Sequence, residues 1–131
     1  MTKRERARVE ALRLIGCIAC RHIGVRAPGP TELHHMLSGG KRMGHWYTLV
    51  LCEPHHQGKQ GWPANIPPVY RVSIASGSKV WNLVYPTQRE LWEHAQWMIG
   101  EPALWPVSKI LPRRINNAAP PSTTPEPRYD D

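Results

Sequence analysis

Leu51-Cys52-Glu53-Pro54-His55-His56-Gln57-Gly58 completes a pattern that Cys17-Ile18-Ala19-Cys20 opens. A Cys-x-x-Cys step and a Cys-x-x-His step supply thiolate and imidazole donors in the spacing of a closed structural zinc site. The expected ligands are Cys17, Cys20, Cys52 and His55, with His22 a nearby rival for the fourth place. Three cysteines in so short a chain cannot all pair as disulfides. Their clustering with histidines points to metal in a reducing compartment. Between the two steps stands His34-His35, and His56 follows the last ligand directly. These histidines are surplus to one structural metal, so a second, catalytic metal is expected.

Working outward, Thr31 to Leu37 reads as a strand, whose period of two sends His34 and His35 to opposite sides. One can then bind a metal while the other takes a proton from water, the metal steadying charge on a phosphate. Ser38-Gly39-Gly40-Lys41 is a turn, and the β-branched and aromatic stretch from Trp46 to Leu51 is the returning strand. Pro54 suits a first helical position, so Pro54 to Gln60 is expected to make one or two turns carrying His56. Lys41 and Arg42 lie near the hairpin turn as candidate phosphate contacts. His45, where the hairpin returns, is a candidate to orient a ligand or touch phosphate.

The flanks read as helices. Residues 3–15 are strong helix formers, with Val9, Leu12, Leu14 and Ile15 set to line one face. Residues 60–68 are broken by glycine and proline, and a short helix is expected over 76–84. Thr87 and Glu90 form a capping-box pattern ahead of a helix from Gln88 to Ile99, which Gly100 and Pro102 end. Leu91, Ala95 and Met98 share its inner face, and His94 is placed on its surface. With six tryptophans and no phenylalanine, indole rings must supply much of the aromatic core. One folded domain is expected over residues 1–105, and the Pro-rich residues 106–131 form a disordered tail.

Lys plus Arg outnumber Asp plus Glu by 17 to 10, a net charge of +7 that favours a polyanionic partner, nucleic acid above all. No apolar run approaches the roughly 20 residues of a membrane span. The basic N-terminus leads into no apolar core. A signal peptide and a membrane partner are therefore not expected, and the chain reads as cytoplasmic.

The order Cys17-x-x-Cys20, Glu32-Leu33-His34-His35, then Leu51-Cys52-x-x-His55-His56-Gln57-Gly58 resembles the HNH endonucleases over residues 14–62. More narrowly, with His45, Thr48 and the Gln88–Trp92 helix, it is similar to the phage recombination-enhancement nucleases of the Ref family. The resemblance implies an α+β fold with a small zinc-stapled ββα-metal core and flanking helices. It implies hydrolysis of DNA phosphodiester bonds in phage-related recombination, with DNA in a RecA-type recombinase filament as the implied partner. The carried-over roles are His34 and His56 as ligands of a catalytic Mg²⁺ or Mn²⁺, and His35 as general base. His45 stands nearest the middle motif position, which is usually Asn. The third ligand position is open: Gln60 and Ser73-Ile74-Ala75-Ser76 occupy the places where a histidine is expected. The rival is a non-catalytic zinc-stapled module that binds nucleic acid or protein.

Overall fold

The structure, a computed structural model, describes residues 1–26 and 29–105. The expected tail, residues 106–131, lies outside the described residues. Helix α1 (Lys3–Ile15) starts at a capping box in which Thr2 accepts from the Glu5 amide and Glu5 accepts from the Thr2 amide. Helix α2 (Ile18–His22) begins at Cys17, whose sulfur caps it by accepting from the Cys20 amide. Strand β1 (Thr31–His35) pairs antiparallel with β4 (Thr48–Cys52). Between them β2 (Leu37–Ser38) and β3 (Lys41–Arg42) form a separate exposed hairpin. Helix α3 (Glu53–His56) follows β4 directly, then α4 (Ser78–Trp81) and α5 (Gln88–Ile99). The result is the expected α+β architecture, a strand–strand–helix unit with helices packed around it. Among the described residues, no helix is long and apolar enough to cross a membrane.

Every residue of β4 is buried, because α1, α2, α3 and α5 pack around it while β1 pairs along its edge. Leu49, Leu51, Leu91, Trp81 and Trp92 are fully enclosed, so tryptophan does supply the central aromatic bulk. The Thr87–Glu90 capping box opens α5 as its sequence requires, and Gly100 closes it in the left-handed region at φ 77°.

The differences from sequence expectation are local and have physical causes. The returning strand begins at Thr48, because Trp46 and Tyr47 belong to the turn after Gly44, where Tyr47 N–H donates to the Gly44 carbonyl. Helix α3 stops at His56 and does not reach Gln60, since Gly58 takes a positive φ of 68°. Its backbone there lies against Ser73, where a Cβ would come within 3.3 Å. The helix expected over 76–84 shrinks to α4, preceded by a tight 3-10 turn at Ile74–Ser76. Leu14 points outward at 90% exposure, leaving Val9 and Leu12 to seat α1. His94 is buried at 2% exposure, because α5 is covered by α1, α2 and β4 and has no single outer face.

Candidate metal centres and the histidine pairs

Four donors from three elements converge at one end of β4. Cys17 and Cys20 come from the start of α2, Cys52 ends β4, and His55 comes from α3. All four are buried, and their ligand atoms lie within 4.8 Å of one another. The Cys17, Cys20 and Cys52 sulfurs stand 3.6, 3.4 and 3.4 Å from His55 Nδ1, and the Cys20 and Cys52 sulfurs stand 3.8 Å apart. Zinc bonds of about 2.3 Å to sulfur and about 2.0 Å to nitrogen set tetrahedral edges of roughly 3.5–3.8 Å. These four edges are close to that length, whereas a disulfide needs sulfurs about 2.0 Å apart. His22 stays exposed on α2, its ring 6.1 Å from Tyr85, and does not join the set.

Electrostatics within the quartet set its thiols apart. Burial opposes ionisation of Cys17, but hydrogen bonds from Cys20 and Cys52 outweigh it and hold this thiol well below its ordinary range. Hydrogen bonding to Cys17 and Cys52, then burial and the charges on those two, push Cys20 strongly upward. A positive ion is what lets all three sulfurs ionise together.

The outer side of His55 fixes its proton. Tyr85 Oη donates to the Tyr70 carbonyl at 2.8 Å, so its oxygen accepts from His55 Nε2–H at 2.6 Å. The neutral ring therefore carries its hydrogen on Nε2 and turns a bare Nδ1 toward the three sulfurs. Trp62, Trp81 and Tyr85 meet the imidazole edge-on at 5.3, 6.2 and 5.2 Å and keep the site dry. Tyr85→Phe removes the acceptor while keeping the ring. It is expected to weaken metal affinity about 10- to 100-fold, as chelator competition would measure.

A second cluster sits on β1. The register sets His34 opposite Leu49 and His35 opposite Thr48, so the two histidines take opposite faces. His34 lies 5.3 Å from His56, ring centre to ring centre. His34 Nε2–H donates to Gln88 Oε1 at 3.0 Å, leaving Nδ1 bare. His56 Nδ1–H donates to Glu32 Oε1 at 2.6 Å, leaving Nε2 bare. Gln57 donates to the same carboxylate oxygen at 3.1 Å. The hydrogen bond from His56 holds Glu32 below the usual carboxylate value despite desolvation. Burial lowers His34 against the opposing pull of Gln88, which keeps the ring neutral, the form that ligates. Among the described residues, no third His, Cys, Asp or Glu closes on this pair as the quartet closes.

On the other face, His35 Nε2 meets His45 Nδ1 at 3.1 Å, with ring centres 5.2 Å apart. Burial, helped by Arg42 and His45, lowers His35 and favours its neutral form. Lys41 and Arg42 project into solvent from β3. Sequence assigns no role to Glu32, Gln88, Tyr85 or Arg8, because each takes its place through tertiary contact. Glu32 left a signal, two residues before His34 and so on the same face of β1, and Gln88 opens the helix that the narrower resemblance includes.

The domain thus combines a buried Cys₃His cluster that could hold a metal ion with paired histidines on a strand–strand–helix unit. A family model described as recombination enhancement, RecA-dependent nuclease, matches residues 1–100, and the chain belongs to that family. No curated protein matches the chain.

Proposed function

We propose that this protein is a metal-dependent DNA endonuclease of HNH type, with a ββα-metal core spanning residues 14–62 and zinc held by Cys17, Cys20, Cys52 and His55. Its substrate is DNA in recombination, held in a RecA-type filament, as the family description suggests. The observation that carries the reading is the histidine arrangement: His34 beside His56, and His35 hydrogen-bonded to His45.

His34 Nδ1 and His56 Nε2, bare because Gln88 and Glu32 accept from the opposite nitrogens, are the donors for a divalent ion. The resemblance to HNH nucleases points to Mg²⁺ or Mn²⁺, which would keep several waters as its remaining ligands, although imidazole donors by themselves suit ions such as Ni²⁺ or Zn²⁺ better. When bound, that ion supplies stabilisation of negative charge on the scissile phosphate. His35 Nε2 and His45 Nδ1 share one hydrogen bond; with its proton on His35 Nε2, His35 is the donor and its Nδ1 is left bare to take a proton from water. The water oxygen forms the new bond to phosphorus, the bond to the leaving oxygen breaks, and that oxygen takes a proton from solvent. His45 steadies the imidazolium that results. Lys41 and Arg42 on the exposed hairpin hold the DNA backbone near the site.

The second reading, a non-catalytic zinc-stapled binding module, draws on the two-donor set at His34 and His56. Incubation with supercoiled and single-stranded DNA, with and without a RecA-type filament, separates the two. Cutting that needs Mg²⁺ or Mn²⁺ supports the nuclease. DNA binding without cutting under every condition supports the module.

A further inference from the structure

Arg8 is a cation in the core. It is 1% exposed, between α5 and β4, with its guanidinium 5.4 Å from the Trp46 ring and 6.0 Å from that of Trp92. Burial lowers it to about 10, so it stays charged at neutral pH. Apolar replacements of buried ionic groups are often neutral or stabilising, so stability alone gives little reason for an arginine here. Each of its three nitrogens donates to a buried partner. Nε donates to Gln96 Oε1 at 2.6 Å, Nη1 to Thr48 Oγ1 at 2.8 Å, and Nη2 to the Thr48 carbonyl at 3.1 Å.

We infer that Arg8 and Thr48 are positioning residues, which hold His45 and through it His35 in the orientation that leaves His35 Nδ1 open to water. The inference rests on the reading of His35 as the base. A guanidinium only donates, so Arg8 fills the acceptor side of Thr48 Oγ1 and turns its single proton outward. That proton goes to the His45 carbonyl at 2.9 Å. His45 follows Gly44, at a φ of 112°, on a turn outside the β ladder, so its backbone needs such a hold. The imidazole then reaches His35, which sits directly across the ladder from Thr48. A hydrogen-bond path thus runs from α5 through Gln96, Arg8, Thr48 and His45 to His35.

The test uses the full, zinc-loaded chain and the substitutions Thr48→Val, which keeps shape and removes the hydroxyl, and Thr48→Ser, which keeps the hydroxyl. Thr48→Val is expected to slow single-turnover cleavage about 10- to 100-fold, with DNA affinity and zinc content unchanged. Thr48→Ser restores the rate. In a His45→Ala background, Thr48→Val adds no further loss, because the residue it acts through is gone. Long-range ¹H–¹⁵N spectra give a readout independent of cutting: His35 protonated on Nε2 in the parent and in Thr48→Ser, and tautomers mixed in Thr48→Val. Losses that multiply in the double variant, or a His35 tautomer unmoved by Thr48→Val, would overturn the inference. If His35→Ala abolishes cutting while Thr48→Val leaves it intact, the positioning role fails and the base assignment stands. If His35→Ala cuts normally, the base assignment fails and takes the positioning role with it.

Discussion

His35→Ala is expected to lower metal-dependent DNA cleavage by about 10²- to 10⁴-fold, the usual contribution of a positioned general base. The fold should survive the change. His35 is only partly buried, near the end of β1, and its side chain bonds another partly buried histidine, not the core. Zinc content should also hold, because His35 is no part of the Cys17, Cys20, Cys52 and His55 set. DNA affinity should stay close to that of the parent, since the proposed backbone contacts are Lys41 and Arg42. A rate collapse with intact fold, zinc and binding therefore assigns the loss to proton transfer. Stopped-flow or quench measurements under single-turnover conditions, on matched preparations, would read it.

Cys52→Ser should have the opposite profile and take the fold with it. Cys52 is fully buried, ends the central strand and faces two other thiols and an imidazole. Structural zinc contributes apparent binding energies of about 10–16 kcal/mol in small domains. Whole domains are stable by only about 5–15 kcal/mol, so losing the ion removes the margin for folding. The variant is expected to purify without zinc and to show no cooperative thermal transition by circular dichroism. A strong chelator should do the same to the parent. A Cys52→Ser protein that melts cooperatively near the parent's temperature would mean that the apolar core suffices and the cluster is not a staple.

The Cys₃His quartet was legible because its chemistry is written in spacing. Cys-x-x-Cys and Cys-x-x-His place donors on tight local turns, and the structure brings the ligand atoms of Cys17, Cys20, Cys52 and His55 within 4.8 Å of one another. The β1–β4 pairing and α5 were legible for a similar reason, since periodicity and the Thr87–Glu90 box are local signals. What sequence could not supply is what distant segments do to one another. Gln88 reaches His34 across 54 positions and Arg8 reaches Gln96 across 88, and no local pattern announces either contact. His94 was misplaced for the same cause, because helical periodicity assumes one wet face and α5 is covered on several sides. The truncated α3 shows the converse, in which a glycine after His56 decides the helix length through its backbone.

The measurement that bears most directly on the central claim is a Mn²⁺ titration of the zinc-loaded protein, followed by electron paramagnetic resonance. The expected result is one site weaker than the zinc site, lost in His34→Ala and in His56→Ala while the zinc stays bound. No Mn²⁺ site, or one that both substitutions leave untouched, would contradict a catalytic metal at this histidine pair.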